Sequence, residues 1–151
     1  MTSLFAWLEA TGIANAIAGS TIWTGSLSAA HVVGFTLVMG GALVANLQSL
    51  GVLFPQGRAI DLEPSANRII VGGVAISLLT GVLLFSVRAT ELAANGTFRL
   101  KMLLLIAAVV FHFGARQRTA ARATSARATS TIGLVLWLAL AVSACVFLLL
   151  E

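Results

Sequence analysis

Residues 100–113 read Leu100-Lys101-Met102-Leu103-Leu104-Leu105-Ile106-Ala107-Ala108-Val109-Val110-Phe111-His112-Phe113. Lys101 opens this stretch and Arg116 closes it, and the run between them, Met102 to Ala115, is apolar apart from one histidine. A membrane-crossing helix takes about 20 apolar residues, so the run is short. Lysine and arginine stems at its ends can snorkel to the interfaces and extend it. It reads as a transmembrane helix over residues 98–116. Polar groups inside a membrane are expensive, which makes His112 a candidate functional residue.

Three further apolar runs flank it, over about residues 21–50, 67–88 and 131–150. Across 151 residues, 59% are hydrophobic and 9% charged. A soluble domain carries about 25% charged residues. The predicted fold is therefore an all-α integral membrane four-helix bundle spanning 21–151. An interfacial amphipathic helix is expected over 1–20, where Leu4, Phe5 and Leu8 share a face beside Trp7 and Gly19-Ser20 form the break. No positive n-region precedes its apolar residues, so it fits a cleaved signal peptide poorly.

Small residues recur at helical spacing. Gly34, Gly41 and Ala45 fall on one side of the first span, and Gly73, Ser77 and Gly81 on one side of the second. Such stripes admit a neighbouring helix or a flat ligand. Asn46 is expected to make a helix–helix hydrogen bond. Pro64 suits the first turn of the second span, and Asn95-Gly96 a turn before the third. The direct repeat Ala-Arg-Ala-Thr-Ser over 121–130 reads as a loop or a helix extension.

The net charge of +4 comes mostly from arginines between the spans. On a membrane protein this sets topology and lipid contact rather than nucleic-acid binding. Arg58, Arg68, Arg116, Arg118, Arg122 and Arg127 fall on one side, and Arg88, Arg99 and Lys101 on the other. The first side is expected inside and both termini outside, periplasmic if the membrane is a bacterial inner membrane. No carboxylate lies within a span and no glycine loop would cradle phosphate, so no catalytic residue is assigned. Cys145 stands alone and reads as a packing residue.

His31 is the other histidine, and it lies in the first span. Depth measured from Trp23 puts it ~12 Å below the interface, and depth measured from Lys101 puts His112 ~16 Å below. Matching depths on two parallel-running spans predict one haem b clamped by His31 and His112. Gly34 and Gly41 would make room for the porphyrin, and Arg88, Arg99 and Lys101 would meet its propionates. Ser28, one turn before His31, or else the backbone carbonyl, is expected to accept the imidazole N–H. Two other uses of these residues stay open. Membrane histidines also pack against neighbouring helices, and Met39, Met102 and Cys145 with the histidines are soft candidates for copper.

His31-x-x-Gly34 with Gly40-Gly41, then Thr80-Gly81-x-x-Leu84-Phe85, then Asn95-Gly96-Thr97-Phe98-Arg99-Leu100-Lys101, resembles a superfamily of small bacterial four-helix membrane proteins. That superfamily includes the copper-resistance D domain and the J-type protoporphyrinogen oxidase, and the likeness is greatest to its uncharacterised members. It covers about Leu27 to Arg118. The resemblance implies His31 as a haem ligand and Lys101 as functional, with His112 matching by spacing. The oxidase pattern continues with Tyr-x-Pro-Arg, where this chain has Val44-Ala45-Asn46-Leu47. The expected function is haem-based electron transfer or redox sensing in the lipid bilayer. The alternative is a structural or assembly subunit partnered by other membrane subunits or by itself. An oxidase-like enzyme and copper handling follow.

Overall fold

The computed structural model describes residues 2–53, 61–119 and 123–150, and every regular element among them is an α-helix. In chain order these are α1 (Thr2–Glu9), α2 (Gly12–Ala18), α3 (Thr21–Ser49), α4 (Glu63–Val87), α5 (Ala89–Ala94), α6 (Gly96–Thr119) and α7 (Ala123–Leu150). Four of them, α3, α4, α6 and α7, are long and apolar enough to cross a membrane. The protein is an all-α membrane protein with a four-helix bundle. Leu79, Leu103 and Val110 are each at least 65% exposed on its flanks. Water would penalise such a surface, whereas lipid tails are as apolar as the side chains themselves.

The expected N-terminal helix is two helices. Thr11 separates them, because its hydroxyl donates to the Leu8 carbonyl and accepts from the Ala14 N–H. One side chain thus closes α1 and caps α2. The second break falls at Gly19-Ser20 as expected, with Ser20 capping α3 through the Trp23 N–H. Pro64 sits in the first turn of α4, where its missing N–H costs nothing. Asn95 ends α5 and caps α6, its side-chain oxygen accepting from the Thr97 and Phe98 N–H groups. The α5 turn itself was not expected. Part of the Ala-Arg-Ala-Thr-Ser repeat forms the first turns of α7, while residues 120–122 lie outside the described residues, as do Arg58 and the side chains of Arg116, Arg118 and Arg122.

Helix α3 packs along α4 for most of its length, and α7 joins α3 to α6. Glycine permits the first of these approaches. A Cβ at Gly73 would lie 2.7 Å from the Gly34 carbonyl oxygen, and one at Gly41 would lie 3.0 Å from that of Ala66. The two small-residue stripes face each other, backbone on backbone, which is how membrane helices gain dispersion energy without a hydrophobic driving force. Beside them Val38, Ala42, Ile70, Ala108, Trp137 and Leu140 form the core. Asn46 is buried there. It bonds its own helix through the Ala42 carbonyl, and its side chain lies against Gly133 of α7, where a Cβ would come within 2.8 Å.

The short helices α1, α2 and α5 gather at the end of the bundle where α3 and α6 begin and α4 and α7 finish. Glu9 of α1 accepts from the Thr90 N–H at 2.7 Å, tying α1 to the first turn of α5. Phe5 meets Phe85 edge-on, Phe85 stacks on Phe98, and Phe98 contacts Phe147. This aromatic row crosses from α1 through α4 and α6 to α7. We refer to this as the capped end.

Candidate functional site

His31 lies ten residues into α3, half-buried against α4. Its Nδ1 is 2.9 Å from the Ser77 carbonyl oxygen and 3.1 Å from the Thr80 hydroxyl. A carbonyl can only accept, so Nδ1 carries the proton. The Thr80 hydroxyl donates its own proton to the Ile76 carbonyl and is left as a second acceptor. Ser77 returns the contact by donating its hydroxyl to the His31 carbonyl. Gly81 lies against the ring edge, with a hypothetical Cβ 3.1 Å from Cε1. The ring is thereby fixed in position and tautomer. In the neutral imidazole, Nε2 then holds a lone pair. Anchoring one ring nitrogen to a backbone carbonyl while the other faces a ligand is the usual arrangement of a metal-binding histidine. The expected partner Ser28, one turn earlier on α3, is exposed, and the ring is held by α4 instead.

His112 is in a different place. It is 3% exposed, and its Nε2 donates to the Asn67 side-chain oxygen at 3.0 Å. Phe113 and Trp137 both meet its ring edge-on. Asn67 and Ser77, the α4 partners of the two histidines, are ten residues apart, which is ~15 Å along the helix. Two nitrogens sharing one metal stand only roughly 4 Å apart, twice a metal–nitrogen bond. The expected clamp of one iron between His31 and His112 does not fit this arrangement. The expected depths matched because Lys101 was taken as the mouth of its helix. In fact α6 starts at Gly96, so His112 lies ~24 Å along α6 while His31 lies ~15 Å along α3.

The expected porphyrin slot is also filled. Gly34 and Gly41 lie against Gly73, Ser77, Ile70 and Ala66 of α4 and are helix contacts. Of the three cations, Arg88 forms a bidentate pair with Glu91 on the surface, and exposed Arg99 donates to the Ala94 carbonyl. Lys101 differs from both. It is half-buried, and its Nζ lies 5.5 Å from the centre of the Phe147 ring. The structure thus groups His31 with Ser77, Thr80 and Gly81 of α4, and does not bring it to His112. The sequence signalled Ser77 and Gly81 only as a small-residue stripe, and it did not single out Thr80 as a partner of His31.

Met39, Met102 and Cys145 are distributed over α3, α6 and α7. Met39 packs on the core and Cys145 is exposed. Among the described residues, no three histidine, cysteine or acidic side chains converge. A haem brings four nitrogens of its own and needs no such cluster. Its axial position fits a histidine whose Nδ1 is held by a carbonyl. No protein family, no curated protein and no solved structure matches this chain.

Proposed function

We propose that this chain binds one haem b in the membrane through His31 and serves electron transfer or redox sensing. The observation that carries the reading is the His31 Nδ1–Ser77 carbonyl bond, which holds the ring and leaves Nε2 without a hydrogen-bond partner among the described residues. Lys101 supplies the cation for a propionate. When bound, the haem supplies a one-electron iron couple whose potential depends on the axial ligand and its neighbours. Ser77 and Thr80 raise the basicity of Nε2 by accepting from Nδ1. In this reading the membrane is a bacterial inner membrane and the capped end faces outwards, following the lysine and arginine distribution.

Purification of the full chain from haem-replete cells tests this. A Soret band that is lost in His31→Ala and kept in Asn46→Ala supports it. A colourless wild-type preparation from such cells refutes it.

A second reading has its own observation. The His112–Asn67 bond joins α6 to α4 and uses an imidazole as a helix contact. If both histidines act so, the chain is a structural or assembly subunit of a larger membrane complex. Stoichiometric co-purification of other membrane subunits, with no pigment, is the outcome that favours it.

A further inference from the structure

We infer that the outward face of α1 and α2, carrying Leu4, Trp7 and Ile13, lies in lipid at the boundary between headgroups and acyl chains. It is held there by apolar contact, without help from lipid charge. The inference stands independently of the haem reading.

Both short helices have a covered side and a bare one. Phe5 of α1 turns to Phe85, and Ala14 and Ile17 of α2 are buried. Leu4, Trp7 and Ile13 are each at least 63% exposed. Two contacts fix the level of α1. Phe5 meets the last turn of α4 at Phe85, and the Glu9 carboxylate accepts the Thr90 N–H in the first turn of α5. Between those two levels the apolar run of α4 gives way to the exposed Arg88–Glu91 ion pair. A charged pair belongs among headgroups and water, so α1 sits where the hydrocarbon ends.

The bare face is also continuous with the flank of the bundle. Helix α2 leads into α3, whose first turn exposes Ile22 and Trp23. Ile22, Val33 and Leu37, at spacings of eleven and four residues, share one face of α3, and all three are exposed. That face runs down the membrane-crossing part of α3, where its surroundings are lipid. Tryptophan suits the upper edge of such a surface, its ring apolar and its N–H able to reach water. Interfacial helices commonly add lysine and arginine, which attract anionic lipid. Residues 1–20 hold neither, and Glu9 is their one charged side chain. Apolar burial is therefore what this face offers to the membrane.

The experiment places a nitroxide label on Leu4→Cys, Trp7→Cys or Ile13→Cys of the full chain in a Cys145→Ser background. Val33→Cys, labelled in the same way, is the reference within the span. Each is reconstituted into phosphatidylcholine vesicles with and without phosphatidylglycerol, and circular dichroism checks that helicity is unchanged. Electron spin resonance then compares collisions with oxygen, which concentrates in lipid, and with a nickel chelate, which stays in water. At positions 4, 7 and 13 the oxygen-to-nickel ratio should exceed that of the free label in buffer several-fold. The depth it reports should be shallower than at position 33 and the same in both kinds of vesicle. Nickel collisions as frequent as those of the free label would put this face in water and overturn the inference. Few collisions with either reagent would mean a protein cover, whether a second copy or another subunit, and would overturn it equally. A depth that grows with phosphatidylglycerol would overturn the independence from lipid charge.

Discussion

Gly81 of α4 abuts the imidazole of His31, so close that a single added carbon would come within 3.1 Å of Cε1 and 3.4 Å of Nδ1. The ring cannot retreat freely, because Nδ1 is bonded to the same helix one turn earlier. Gly81→Ala should therefore be nearly neutral for stability, its helix-propensity gain of about 1 kcal/mol being offset by crowding. Under the haem proposal, Gly81→Val should tilt the ring and reduce the haem-to-protein ratio several-fold with helicity unchanged. Retention of full haem content in Gly81→Val would contradict the placement of Nε2 as the ligand.

The α3–α4 seam should tolerate no side chain at Gly73. A Cβ there meets backbone atoms, the Gly34 carbonyl at 2.7 Å and the Val38 nitrogen at 2.9 Å, and neither can rotate away. Gly73→Ala should destabilise the bundle by ~1–3 kcal/mol, the range for overpacking. Gly72, which faces open space, should accept alanine without loss. Denaturation in mixed micelles separates the two. Equal effects at both positions would show that the seam is not a close contact.

His112 and Asn67 should be energetically coupled. Hydrogen bonds between membrane helices average ~0.6 kcal/mol and reach ~1.7 in double-mutant cycles. His112→Ala and Asn67→Ala, alone and combined, should give a coupling in that range. His112→Ala should cost more by itself, since it also empties space beside Phe113 and Trp137. Strict additivity would mean that the bond contributes nothing.

Trp137 is 1% exposed, yet its indole N–H has no hydrogen-bond partner among the described residues. A buried donor without a partner costs about 1–3 kcal/mol. Trp137→Phe removes that donor along with some volume, so it should destabilise by less than the ~3–5 kcal/mol typical of truncating a buried aromatic to alanine. Thermal unfolding of the two variants gives the comparison. A Trp137→Phe loss as large as that of Trp137→Ala would show that the N–H is satisfied.

At the capped end, Glu9→Ala should release the Thr90 N–H, and Glu9→Gln should keep it. Loss of a capping acceptor costs ~0.5–2 kcal/mol locally. Hydrogen exchange at the Thr90 amide should quicken in the alanine variant alone, with the four long helices unaffected.

The fold was legible in the sequence because length and hydrophobicity suffice to mark a membrane-crossing helix. Four apolar runs separated by Pro64, Asn95-Gly96 and arginines leave little choice. The site was legible only in part. His31 and Lys101 stand out as polar residues in apolar surroundings, and their types suggest ligand and counter-charge. How they sit relative to one another depends on where each helix starts and how it is rotated. A segment apolar on all sides does not reveal which face is turned inwards. Ser28 looked like the partner of His31 because it is near in sequence, but the acceptor is a main-chain carbonyl of the next helix. No side-chain pattern encodes that. Gly34 and Gly41 posed the same ambiguity, since a stripe of small residues suits a helix and a flat ligand equally well.

Both imidazoles lean on α4, His31 at Ser77 and His112 at Asn67. That helix is therefore a keyed shaft, engaged at two levels by different neighbours. A displacement along its axis by one pitch, ~5.4 Å, would disengage both keys at once. The two imidazoles thus share one register, although neither bonds to the other.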